Sequence, residues 1–264
     1  MEFRTPVGIP RPSFQIEPLE EMLFVGSCFA DSIGRRFQEE RFPATVNPFG
    51  TMYNPASVLH TIEQWSGTPR VVFITLGTNH VYRLKSSGEI VDNCQKRPQR
   101  LFQEETLSIE ACASYLRQAV SVLRSRRPDV QVVFTVSPIR YQKYGFHESQ
   151  LSKATLLLAV ASIVAPTAHL DYFPAYEIVL DELRDYRFYK EDMLHPTAQA
   201  VEYIWQQLVE HYFSPAARQF LQEWKPIKEA LNHRPFHPES AEYQHFLAET
   251  RKKEHELLTR FGKS

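Results

Sequence analysis

Ser27 ends an apolar run, Met22-Leu23-Phe24-Val25-Gly26, and Asp192 and His195 stand close together late in the chain in Asp192-Met193-Leu194-His195-Pro196. A serine hydroxyl is a weak nucleophile at neutral pH. It needs a base to take its proton, and the base needs a third group to fix its tautomer and stabilise its charged form. Ser27, His195 and Asp192 have the residue types for these three roles. A D-x-x-H spacing on a loop entering a helix lets the carboxylate reach back to the imidazole Nδ1 and leaves Nε2 for the serine. The oxyanion that develops on attack needs preorganised donors. Candidates are the backbone N–H of Gly50, the side-chain amide of Asn79, and the N–H of Ser27 or Cys28. Each residue also has a plainer reading. Ser27 suits a helix N-cap, Asp192 can complement a helix dipole, and His195 can merely precede a helix that starts at Pro196. Cys28 is a rival nucleophile or a small packed residue. His80 and His147 are candidates for lining the pocket, or ordinary structural histidines.

These residues need a frame that brings them to one edge. Met22 to Val25, Arg70 to Leu76 (R-V-V-F-I-T-L) and Val130 to Val136 (V-Q-V-V-F-T-V) are continuous apolar runs, as in strands buried on both faces. Each ends in small or polar residues: Gly26-Ser27, Gly77-Thr78-Asn79-His80 and Ser137-Pro138. A shorter run, Ala44-Thr45-Val46, leads into Asn47-Pro48-Phe49-Gly50, and a weaker strand is expected near Ala168-His169-Leu170-Asp171. Helical patterns lie between them, at about 30–40, 55–65, 108–126 and 149–164, with another expected from Pro196. Such alternation predicts an α/β fold, a parallel sheet covered by helices on both faces, with ligands beyond the carboxyl ends of the strands. Two segments break the alternation. Val81 to Asn93 reads as a β-hairpin turning at Ser87-Gly88. After Phe213, Phe220, Trp224, Ile227 and Leu231 repeat at helical spacing. A Pro-containing break at 232–238 follows, then a second charged helix running toward Arg260. The expected organisation is an α/β domain over 1–213 and a helical extension over 214–264 packed on the core or on a neighbour.

Composition narrows the function further. The 30 basic and 31 acidic residues among 264 leave a net charge of -1, so no global field gathers a polyanion and nucleic acid is not an expected partner. The first residues have neither a basic n-region nor an apolar h-region, and no run approaches a membrane span, so a cytoplasmic protein without a membrane partner is expected. Cys28, Cys94 and Cys112 are widely spaced, form no C-x-x-C pair, and suit free thiols in a reducing compartment. A metal site from Asp192, His195 and His211 lacks any supporting H-x-x-x-H or cysteine pair, so none is expected. The dense run Asp181, Glu182, Arg184, Asp185 and Arg187 reads as a solvated face or an ion network.

Several motifs in order resemble the GSCFA family, a branch of the GDSL/SGNH hydrolases. They are G-S-C-F-A at Gly26 to Ala30, N-P-F-G at Asn47 to Gly50, I-T-L-G-T at Ile74 to Thr78, and S-K-A at Ser152 to Ala154. Further on stand Y-F-P-A-Y-E-I at Tyr172 to Ile178, D-E-L-R-D-Y-R-F-Y at Asp181 to Tyr189, and D-M-L-H-P at Asp192 to Pro196. The resemblance runs from about Phe14 to Phe213, and His233-Arg234-Pro235-Phe236 in the tail is also familial in appearance. It implies a flavodoxin-like three-layer αβα fold, a nucleophilic Ser27, oxyanion donors at Gly50 and Asn79, and Asp192 with His195 as the base pair. Two positions depart from the wider superfamily. Gly26 directly precedes Ser27, so the Asp of Gly-Asp-Ser is absent, and His80 stands where that pattern has Asp.

The expected function is hydrolysis of a carboxylic ester, such as an O-acetyl group on a carbohydrate, through an acyl-Ser27 intermediate. No cofactor is implied. The same machinery would serve an O-acyltransferase passing the acyl group to a hydroxyl. A binding protein that kept the fold without turnover is the reading from another class. The helical tail is a candidate surface for a homodimer.

Overall fold

A computed structural model of the chain describes residues 4–92, 97–164 and 169–262. Cys94 and the Asn93 end of the expected hairpin lie outside them, as does Ala168 at the start of the expected late strand. Five strands form one parallel sheet: β1 (Met22–Gly26), β2 (Ala44–Val46), β3 (Val71–Leu76), β7 (Gln131–Val136) and β8 (Leu170–Tyr172), in the order β2-β1-β3-β7-β8. Alternate residues of each strand feed opposite faces, which is why the runs read as continuously apolar. Leu23, Val25, Val72, Ile74, Val132 and Phe134 pack one way, against α2 (Pro55–Gln64), α3 (Ile109–Arg126) and α4 (Phe146–Val164). Met22, Phe24, Val71, Phe73 and Val133 pack the other way, against α1 (Cys28–Glu39), α6 (Ala198–Tyr212) and α7 (Pro215–Leu231). The result is a three-layer αβα sandwich with a flavodoxin-like sheet. Its strand order reverses between β1 and β3, which opens a crevice at their carboxyl ends.

The hairpin over Val81 to Asn93 has a third member. β4 (His80–Leu84) pairs antiparallel with β5 (Ile90–Val91) on one side and with β6 (Phe102–Thr106) on the other. Gly88, at φ 74°, supplies the left-handed residue that the β4–β5 turn requires. The expected helix start at Pro196 is displaced. Pro196 forms an antiparallel bridge to Tyr189, and Thr197 caps α6 by accepting from Ala200 N at 3.3 Å. A short helical turn, α5 (Ala175–Glu177), continues into a π-helical turn over Ile178–Leu183.

The tail docks on its own core. Phe220 and Trp224 of α7 are buried, and Trp224 Nε1 donates to Glu39 O at 3.2 Å while the Arg41 guanidinium lies 5.1 Å from its ring. Lys228 of α7 reaches Glu40 at 2.8 Å. The last helix, α8 (Ala241–Phe261), folds back on α7 through an edge-on Phe220–Phe261 contact and pairs Glu254 with Arg41 at 2.6 Å. Replacing Trp224 by alanine is expected to lower unfolding stability by about 3–5 kcal/mol in urea titration, as for a fully buried aromatic. A loss below about 1 kcal/mol would show that α7 is not part of the folded core.

Candidate active site

The crevice places Ser27 at the tip of β1, immediately before α1. Gly26 makes this junction possible: it sits at φ 138°, and a Cβ there would collide with the Thr75 backbone of the neighbouring strand. Its N–H donates to Asn47 Oδ1 at 2.9 Å, and Asn47 Nδ2 in turn donates to Asp31 Oδ1 at 2.8 Å. The N-P-F-G turn is thereby tied to both β1 and the first turn of α1. Ser27 is buried and is the N-cap of α1, its Oγ accepting from Phe29 N at 3.3 Å. Capping and nucleophilic roles are compatible, because accepting that bond leaves the hydroxyl proton free to be donated.

Asp192 and His195 meet on the loop before α6. Met193 adopts a left-handed φ of 58°, which turns the chain so that one Asp192 oxygen accepts from Leu194 N at 2.8 Å and His195 N at 2.9 Å. The other oxygen, Oδ2, lies 2.6 Å from His195 Nδ1. These three bonds hold the Asp192 carboxyl down at a pKa of about 2, the backbone donors leading. An ionised carboxylate only accepts, so Nδ1 carries the proton of that bond and Nε2 is the ring nitrogen left for another partner. Arg140, beyond the end of β7, fixes the loop by donating its backbone N to Leu194 O and its Nη1 to Met193 O, each at 3.0 Å. Among the described residues no hydrogen bond joins His195 to Ser27.

The candidate oxyanion donors are largely committed. Ser27 N donates to Thr75 O at 2.9 Å and Gly50 N to Asn47 O at 2.9 Å. Asn79 Nδ2 donates to Leu107 O at 2.8 Å, while its buried Oδ1 has no partner among the described residues. Cys28 N, at the first helical position, carries no hydrogen bond among the described residues, as the leading N–H groups of a helix do not. Cys28 Sγ lies 3.2 Å from Tyr53 OH, and burial, followed by that contact, pushes the Tyr53 phenol well above its usual range. Cys112 is buried in the core, which raises its thiol to about 12.

His80 stacks on Tyr144 with ring centroids 3.9 Å apart, and burial lowers its pKa. His147 is exposed on the first turn of α4. His211 sits in the last turn of α6 with Nδ1 facing Gln207 O at 2.9 Å. No group of three or more His, Cys, Asp or Glu poised to hold a metal ion occurs among the described residues. No helix among them is long and apolar enough to cross a membrane.

Sequence reasoning passed over Lys153. Its ammonium is buried and donates to Gly77 O and Ser137 O, both at 2.8 Å, bridging the ends of β3 and β7. Its neighbour Ser152 contacts Thr78 Oγ1 and accepts from Asn79 N, each at 3.0 Å. The S-K-A motif thus staples the site's loops together. The available signal was that motif: its side chains point at strand ends rather than at solvent.

A chain folded this way is an α/β protein with a serine at the switch point of its parallel sheet and a carboxylate–histidine pair on a late loop. The GSCFA family model matches residues 21–69 and 64–208, and a C-terminal GSCFA domain model matches residues 224–263. The chain belongs to the GSCFA family. Among solved structures it is similar to a protein from Lactobacillus plantarum at 12% identity, covering 76% of this chain and 100% of that one, with a TM-score of 0.48. A carbohydrate esterase family 3 protein from Talaromyces cellulolyticus is 10% identical over 78% and 99% of the two chains, with a TM-score of 0.47. A mutant acetyl esterase with acetate ion is 10% identical over 79% and 99%, with a TM-score of 0.44. No curated protein matches the chain. These likenesses concern the path of the chain and carry no substrate with them.

Proposed function

We propose that the protein is a serine esterase of the GDSL/SGNH type, acting through an acyl-Ser27 intermediate. The observation that supports this most is the Asp192–His195 pair, its carboxylate ionised and its imidazole oriented by three hydrogen bonds to that carboxylate, and its loop tied through Arg140 to the sheet edge where Ser27 sits. In this reading Ser27 Oγ attacks the acyl carbon as His195 Nε2 takes its proton, and the Ser27–His195 hydrogen bond closes as the ester docks. The tetrahedral oxyanion is met by Cys28 N–H and the second hydrogen of Asn79 Nδ2, with Gly50 N–H joining if its turn relaxes. The C–O bond to the alcohol then breaks, and the alcohol leaves with the proton from His195. Water, deprotonated by the same His195, attacks the acyl-serine and releases the acid, returning the proton to Ser27. A sugar hydroxyl in place of that water would make the same site an acyltransferase.

The committed N–H donors and the open Ser27–His195 gap favour a second reading, a binding protein without turnover. Labelling by a fluorophosphonate followed by intact-mass analysis separates the two. The expected result is one adduct on Ser27, absent from Ser27→Ala and from His195→Ala. No adduct, or one on Cys28, would remove the serine mechanism.

A further inference from the structure

Two of the N–H groups that could meet an oxyanion at Ser27 are spent within the fold, Ser27 N on Thr75 O and Gly50 N on Asn47 O. We propose that a side chain fills the place they leave: the Tyr53 hydroxyl donates to the acyl oxygen of the ester as negative charge develops there. The inference rests on the Ser27 reading and adds a catalytic residue to that site.

Tyr53 lies along Ser27. One end of its ring packs on Gly77, where a Cβ would lie 3.1 Å from Tyr53 Cδ1 and 3.4 Å from Ser27 Cβ, so the tyrosine and the serine flank the same glycine. At the other end the hydroxyl is 3.2 Å from Sγ of Cys28. Cys28 follows Ser27 at the start of α1, and its N–H has no hydrogen bond among the described residues. The ring thus runs from one neighbour of Ser27 to the other, and its hydroxyl ends beside the N–H that meets the oxyanion in this reading. At 38% exposure the side chain remains within reach of a substrate.

The residue is also held in place, as a donor to a transition state must be. Tyr53 O accepts from Gly77 N at 2.8 Å and from Thr78 N at 2.9 Å, and Met52 N donates to Gly26 O at 2.8 Å. Asn54, next in the chain, is the N-cap of α2. The ends of β1 and β3 therefore grip the segment from both sides, and the Tyr141 ring flanks that of Tyr53 at 6.4 Å between centroids.

The hydroxyl has a proton to share. A phenol oxygen can accept from the Cys28 thiol and donate its own hydrogen elsewhere; with the bond reversed, sulfur is a weak acceptor that an anionic oxygen displaces. Asp31, the carboxylate whose charge reaches Tyr53, is occupied by Asn47 Nδ2 at 2.8 Å and Thr51 Oγ1 at 3.4 Å. Burial, followed by the Cys28 contact, holds the phenol well above its usual range, so it donates a hydrogen bond without losing its proton. As Ser27 Oγ bonds to the acyl carbon, its proton passes to His195 Nε2 and the carbonyl π pair moves onto oxygen, where Tyr53 O–H and Cys28 N–H meet it. When the alcohol leaves with the proton from His195, the pair returns to the C=O bond, and Tyr53 keeps its hydrogen throughout.

The test is fluorophosphonate labelling of wild type and Tyr53→Phe over a range of probe concentrations, which separates the maximal rate, kinact, from the half-saturating concentration, KI. The phosphoryl oxygen gains charge at that transition state as an acyl oxygen does. Phenylalanine keeps the half-exposed ring between Gly77 and Tyr141 and removes only the hydroxyl, so the melting temperature should match wild type. The expected result is a kinact about 10²-fold lower with KI within about threefold of wild type, because the bond forms only in the transition state. A trifluoromethyl ketone, whose hemiketal with Ser27 carries the same oxyanion, should bind the variant more weakly by about the same factor. A kinact within about threefold of wild type, or a loss carried by KI, would overturn the proposal, as would a ketone that binds both proteins equally. Absence of the Ser27 adduct in wild type would instead end the Ser27 reading, and the Tyr53 role with it.

Discussion

Asp192→Asn is expected to slow acylation of Ser27 by about 10³–10⁴-fold while leaving the protein folded, because the carboxylate sets the histidine's tautomer as well as its charge. The asparagine Oδ1 can keep the bonds from Leu194 N and His195 N that shape the turn. Its amide nitrogen then faces His195 Nδ1 where a carboxylate oxygen now lies at 2.6 Å. Two donors cannot share that contact, so the imidazole must carry its proton on Nε2, the atom that has to be free to accept from Ser27. The measurement is the fluorophosphonate labelling rate, read beside the melting temperature. A variant that melts like wild type and labels within tenfold of it would deny Asp192 this role. The wild-type pH profile carries a related expectation. Asp192 is held at about 2, below the usual carboxylate range, so it stays ionised down to that pH. Any fall in labelling between pH 4 and 7 therefore comes from another group, and in Asp192→Asn the shape of that limb should change while the region near pH 3 loses nothing further.

The parts of this arrangement that can be read in the sequence are those where one physical demand dominates. Strands buried on both faces must be apolar at every position, so β1, β3 and β7 are evident as runs, and the small residues that end them mark the sheet's functional edge. Ser108, Thr197 and Ser214 each cap a helix, the first and last where a helical segment is expected to begin and Thr197 one residue beyond the expected start at Pro196. Pro196 suits the first turn of a helix and suits an edge bridge equally well, and its pairing with Tyr189 depends on residues that only the fold brings near. β6 gives no signal of its own because Phe102 is its one buried residue, leaving F-Q-E-E-T without a clear alternation. The donor candidates show a similar limit. Residue type identifies Gly50, Asn79 and Ser27 as able to donate, but whether an N–H is already spent on Asn47, Leu107 or Thr75 is decided by tertiary contacts. Glu182 and Lys153 look like surface charges in composition. Each is buried because a partner distant in sequence satisfies it, which no local pattern records.

Lys153→Met should both loosen the site and flatten the protein's stability profile in mild base. The ammonium joins Gly77 O to Ser137 O, and these two carbonyls belong to the two halves of the proposed machinery. Gly77 packs against Ser27, close enough that a Cβ on it would lie 3.4 Å from the serine Cβ. Ser137 opens the segment whose Arg140 carries the His195 loop. Methionine fills similar space without donors, leaving both carbonyls unpaired at about 1–3 kcal/mol each and freeing the two strand ends to separate. A shift of about 1 Å between nucleophile and base costs about 10²-fold in rate, which is the loss expected in Ser27 labelling. The pH signature distinguishes this lysine from an ordinary packing residue. Burial lowers its pKa from 10.5 to about 7. Between those values the unfolded chain holds a proton that the folded chain has released, so stability rises with pH across that window. Below about 7 both states are protonated and the cost of burying the charge is fully present. Half-buried Tyr172 and buried Tyr212, whose phenols are raised, act in the opposite sense once unfolded tyrosines ionise near 10, so the useful range is about pH 7 to 9.5. Melting temperatures of wild type should climb across it relative to those of Lys153→Met. Parallel profiles for the two proteins would mean that Lys153 keeps its proton throughout and braces the site as a permanent cation.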